Sequence, residues 1–199
     1  MEYSNRLKGS VTQALLKSLL ADAGYRVVPL GIEEAIREVT SLDKERYSAL
    51  ELPPVLRKMP DFFVADRELK YSWLVEVKFR NEWDDDVRRS LGAQLKEQVQ
   101  AWSPLYVIVF LGTPAKRLDT YPSAWMGVAK LSIKDGQLVV ASESGDNEYK
   151  WDEIEWSSFA RIQKVFPKLD EKEKWNEKTL EKTWTLLGEL MKLDLLETK

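Results

Sequence analysis

The chain has 199 residues, enough for one substantial core, so a single domain with a C-terminal extension is expected. Its 44% hydrophobic and 32% charged residues exclude a disordered chain, and the lack of histidine and cysteine excludes thiol nucleophiles, histidine bases, zinc clusters and iron–sulphur ligation. A net charge of −3 argues against a strongly basic, nonspecific nucleic-acid binder, and no apolar run approaches the roughly 20 residues of a membrane helix, so a soluble cytoplasmic protein without a membrane partner is expected.

Residues 10–23 (SVTQALLKSLLADA) place Val11, Leu15, Leu16, Leu19 and Leu20 at helical spacing, and Gly24 is suited to stop the helix. Residues 25–30 (YRVVPL) predict a first strand, with Pro29 at an edge or at the strand end. Residues 33–39 predict a short helix, and 40–59 a polar connection containing Pro53 and Pro54. A hairpin follows, with strands over 61–65 and 71–79 and a turn over 66–70. Asp84 to Asp86 can cap a second long helix that carries Val87, Leu91, Leu95, Val99 and Trp102 on one side. Residues 105–111 (LYVIVFL) have the unbroken apolar character of a strand buried on both faces.

Beyond Gly112 the pattern changes to a hairpin, with strands over 125–133 and 138–141 about a turn holding Asp135 and Gly136. Helices are predicted over 157–166 and 173–195, the latter aligning Leu180, Trp184, Leu187, Met191 and Leu195. Such a stripe packs on its own domain or serves a homodimer or larger complex. Eight tryptophans suit the core, although exposed ones could stack on bases.

One constellation carries chemistry. A turn centred between Glu68 and Leu69 sets Asp61 opposite Glu76, with Cβ atoms about 5 Å apart, where like charges are destabilising. The strand period of two turns Lys78 to the same face as Glu76, in an otherwise apolar WLVEVKF. A divalent ion would convert the repulsion into binding, and oxygen ligands without nitrogen or sulphur suit Mg2+ or Mn2+. The plain alternative is an ordinary Glu–Lys ion pair beside a PD turn. Arg57, Lys58, Arg80, Arg88, Arg89 and Lys96 surround this segment in sequence, either as a local basic face or as ordinary solvated charges.

A PD dipeptide followed by EVK on a hairpin, with a helix and strand before it and after it, resembles the PD-(D/E)XK nuclease superfamily over residues 8–111. The resemblance implies an α/β, restriction endonuclease-like core of order αβββαβ, with a central mixed sheet flanked by helices, over 1–111. Residues 112–199 would then pack on the same domain as a C-terminal hairpin and helical extension. It implies Asp61 and Glu76 as metal ligands, the Val77 carbonyl as a third, and Lys78 as the group that orients or activates the attacking water. Lys58 and Arg80 would meet the nucleic acid.

The chain departs from the pattern on the first helix, where many relatives carry a glutamate four residues after a glycine. Here Gln13 follows Gly9, offering an oxygen without a charge or simply facing solvent. A branch of the family places a glutamine on the later helix four residues before a tyrosine. Gln94 or Gln98 would fill that place, with Trp102 four residues after Gln98. The expected activity is hydrolysis of DNA, ahead of RNA, by metal-activated water. The alternative is an inactive nuclease-fold module that binds nucleic acid or a protein partner.

Overall fold

The computed structural model describes residues 2–32, 42, 44–113, 125–142, 146–170 and positions 182, 183, 185 and 186. The expected helix over 33–39 and most of that over 173–195 lie outside these residues.

Helix α1 (Glu2–Asp22) begins a full two turns before the apolar pattern does and ends at Gly24, whose φ of 87° is the left-handed value that favours glycine. Seven strands then form one sheet in chain order: β1 (Arg26–Pro29), β2 (Phe62–Ala65), β3 (Ser72–Arg80), β4 (Leu105–Leu111), β5 (Met126–Lys134), β6 (Gln137–Ala141) and β7 (Glu148–Lys150). All neighbours run antiparallel except β3 and β4, which are parallel and joined through helix α4 (Asp85–Ala101). Only a crossover can connect parallel neighbours, and α4 supplies it. Pro29 ends the edge strand β1, where its missing N–H breaks no interior ladder.

The stretch over 40–59 is more structured than its polar sequence suggests, with α2 (Lys44–Ala49) and the single turn α3 (Pro54–Arg57). Pro54 supplies the fixed φ that starts α3, and Trp102 Nε1 donates to the Val55 carbonyl at 3.2 Å. The helix expected over 157–166 is instead broken. A 3₁₀ turn at Trp156–Ser158 and a single turn α5 (Ile162–Val165) flank Ala160, which exchanges backbone hydrogen bonds with Val128 of β5. Sheet pairing at Ala160 has overridden the helical periodicity.

Alternation along the strands divides the core into two layers. Leu16, Leu19 and Leu20 of α1 pack with Val75, Val77, Ile108, Phe110, Ile162 and Phe166 on one sheet face. Leu91, Leu95 and Val99 of α4 pack with Val107, Val109, Leu131, Val140, Trp151 and Ile154 on the other. Each such aliphatic side chain contributes about 1.5–3 kcal/mol by leaving water. β4 is buried on both faces, as its unbroken apolar run requires. None of the six described tryptophans is exposed. Among the described residues no helix is long and apolar enough to cross a membrane.

Candidate active site

The hairpin register sets the site. β2 and β3 pair Phe62 with Val75 and Ala65 with Ser72, the register that carries Asp61 opposite Glu76. β2 begins at Phe62, however, whereas β3 runs on to Arg80, so among the described residues no strand pairs the last residues of β3 on that side, which is an open edge. The Asp61 side chain fills the start of this edge. Its Oδ2 accepts from the Val77 N–H at 2.7 Å, where a further strand residue would otherwise pair. The N–H and C=O of one strand residue point to the same side, so the Val77 carbonyl is aimed along the same edge.

Glu76 and Lys78 share the α4 face with Leu74, which packs into the α4 layer. Glu76 is buried; its Oε1 meets Lys78 Nζ at 2.5 Å, and its Oε2 accepts from Gln98 Nε2 at 2.7 Å. Gln98, also buried, lies 3.5 Å from the Met59 carbonyl, and so links the helix to the chain just before Asp61. Lys58, in the same stretch, pairs with Glu97 at 3.2 Å. On the other side of the sheet, Gln13 Nε2 of α1 donates to Asp61 Oδ1 at 2.9 Å. Each of the four carboxylate oxygens thus has a donor, and the two amides arrive from the two long helices that cover opposite sheet faces.

Burial and then the neighbouring Glu76 charge raise the Asp61 carboxyl from 3.8 to about 7, against the opposing effects of the Val77 N–H, Lys78 and Gln13. A carboxyl whose ionisation is hindered by burial and a neighbouring carboxylate is ready to exchange its proton for a cation. Asp61, Glu76 and the Val77 carbonyl form an oxygen-only donor set of the kind hard divalent ions take. Among the described residues no group of three or more acidic side chains is arranged to hold a metal ion.

Of the residues singled out by sequence, Asp61, Glu76, Val77, Lys78, Gln13 and Gln98 come together. Gln94 does not, because it lies exposed on α4 and makes none of the site's hydrogen bonds. Most of the basic cluster has structural partners: Arg57 binds the Ser48 and Leu50 carbonyls, Arg88 the Ile154 carbonyl and Asp85, and Arg89 pairs with Asp86. Arg80 is the exception, half-buried and without an acidic partner among the described residues. Lys8, which no pattern in α1 marks, lies over the Phe79 ring at 5.7 Å from its centre. Comparison with models of known families, with curated proteins and with solved structures gave no match to this chain.

Proposed function

We propose that the chain is a divalent-metal-dependent phosphodiesterase of the PD-(D/E)XK kind, acting on DNA ahead of RNA. The observation that carries this reading is the meeting of Asp61, Glu76 and Lys78 at one strand edge, with Glu76 helping to lift the Asp61 carboxyl to about 7. Asp61, Glu76 and the Val77 carbonyl are the residues that would hold Mg2+ or Mn2+. When bound, such an ion lowers the pKa of water and neutralises charge that builds on a phosphate.

The chain's own groups have separable tasks. Gln98 and Gln13 hold the two carboxylates from opposite sides, which fixes their spacing before any ligand arrives. Lys78 supplies an ammonium within reach of Glu76, placed to orient an attacking water and to offset charge on the phosphate. The test is incubation with single-stranded, duplex and branched DNA in magnesium or manganese, beside Asp61→Ala. Cleavage by the wild type alone supports hydrolysis.

A second reading, a nuclease-fold module that binds without cutting, draws on Gln13. Its neutral amide donates to Asp61 where an acidic side chain would add a ligand. Binding of DNA with ordinary salt dependence and no cleavage of any form in manganese would favour it.

A further inference from the structure

The strongest feature outside the carboxylate site is the continuation of the open β3 edge. Gly112 N–H donates to the Arg80 carbonyl at 2.8 Å from the β4 side, so the backbone groups of residue 80 face β4 and those of Val77 and Phe79 face the open edge. The Phe79 N–H meets no acceptor among the described residues. Its carbonyl is taken at 2.7 Å by Arg80 Nη1, which brings the guanidinium back along the edge. Lys8 approaches the same residue from the α1 side, over the Phe79 ring.

Two cations thus meet one residue, Arg80 at the Phe79 carbonyl and Lys8 at its ring, and neither has an acidic partner among the described residues. Burial lowers the Arg80 pKa, the sign of a guanidinium that has given up water without gaining an anion. A half-buried, uncompensated cation is costly unless a ligand completes it. A guanidinium, an ammonium and an N–H together suit a tetrahedral oxyanion.

We infer that Arg80, Lys8 and the Phe79 N–H form a subsite for a backbone phosphate of a nucleic-acid strand, next along β3 from Asp61, Glu76 and Lys78. The inference rests on the reading of that neighbouring site as one that meets phosphodiesters. Arg80 supplies the directional contact, Lys8 a movable charge, and Phe79 the floor between them. The strand would cross the open edge of β3, with one phosphate at the carboxylates and another at this subsite.

The test is binding of a short fluorescein-labelled single-stranded oligonucleotide in metal-free buffer, by anisotropy at several salt concentrations. Arg80→Gln and Lys8→Gln should each weaken binding about tenfold and lower the salt slope by about 0.7, and the double variant should lower it by about twice that. Lys17→Gln, which removes an exposed charge elsewhere on α1, should change little. Mn2+ binding, followed by electron paramagnetic resonance, should be the same in all variants. Equal losses for Lys17→Gln and Lys8→Gln, or wild-type affinity and slope in Arg80→Gln and Lys8→Gln, would overturn the subsite. So would inorganic phosphate binding as tightly as the oligonucleotide. A wild type that binds through Arg80 and Lys8 but cuts nothing in manganese would sink the hydrolytic reading and leave the subsite standing. Cleavage with a KM unmoved by Arg80→Gln would do the reverse.

Discussion

Gln98 of α4 donates to Glu76 of β3 at 2.7 Å, and both side chains are buried. With Gln98 replaced by leucine, the buried Glu76 Oε2 loses its donor, at a cost of about 1–3 kcal/mol. The expected outcome is a lower urea midpoint together with a cleavage rate reduced roughly 10–100-fold, because Glu76 is no longer held. Gln98→Asn, which keeps an amide on a shorter arm, should recover part of the rate. Wild-type stability and rate in Gln98→Leu would show that the contact does nothing.

Lys78 and Asp61 should separate in their effects. Lys78→Ala removes the ammonium that neutralises Glu76 Oε1, so Mn2+ affinity should hold or rise while cleavage falls by about 10²–10⁴-fold. Asp61→Ala should abolish both. Calorimetric Mn2+ titration beside single-turnover cleavage decides this, and equal loss of metal by the two variants would contradict the division of roles.

Asp61 predicts a pH dependence whose sign follows from a raised carboxyl. Below about 3.8 folded and unfolded chains both carry the proton; between there and about 7 only the folded chain keeps it. This group's stabilising contribution is therefore full at low pH and is lost as pH rises through about 7. The loss is at most on the order of 4 kcal/mol. In metal-free buffer Asp61→Asn should be flatter than wild type across this window in urea unfolding. An unchanged slope would count against the shift.

Gly92 lies inside α4, where alanine would ordinarily stabilise by about 0.5–1 kcal/mol. A Cβ here would lie 2.5 Å from Cδ1 and Nε1 of the buried Trp151 ring, whose Nε1 donates to the Arg88 carbonyl at 2.8 Å. Gly92→Ala should thus destabilise by about 1–3 kcal/mol through overpacking. A stabilised variant in thermal unfolding would mean that the indole can move freely.

Much of this was legible because short-range rules apply. The turn between Glu68 and Leu69 set the hairpin register; Asp84 caps α4 by accepting the Val87 N–H at 2.7 Å; and Asp135 and Gly136 turn with positive φ as a tight hairpin needs. What depends on distant partners was not legible. The periodicity of 157–166 gave no hint that Ala160 would bridge to Val128, and the three residues of β7 are too few and too polar to signal a strand. Gln94 and Gln98 look equivalent one helical turn apart, yet only the packing of α4 decides which is buried against Glu76. Lys8 matters through Phe79, more than 70 positions later in the chain, and no local pattern could join them.

Because the sheet follows chain order, the protein consists of two antiparallel meanders, β1 to β3 and β4 to β7, joined along one parallel seam. The β2–β3 hairpin closes a short loop, whereas the seam must wait for the whole crossover between Arg80 and Leu105 to dock, a slower event. Asp61, Glu76 and Lys78 all belong to the first meander, and Gln98 arrives with the crossover. A nascent chain would thus carry the opposed carboxylates before it has the amide that holds one of them, and maturation of the site should coincide with closure of the seam. Pulse-labelled hydrogen exchange during refolding would test this, with Ile108 and Phe110, whose N–H groups face β3, gaining protection after Val64 and Val75, whose N–H groups pair within the β2–β3 hairpin; the opposite order would mean that the seam forms first.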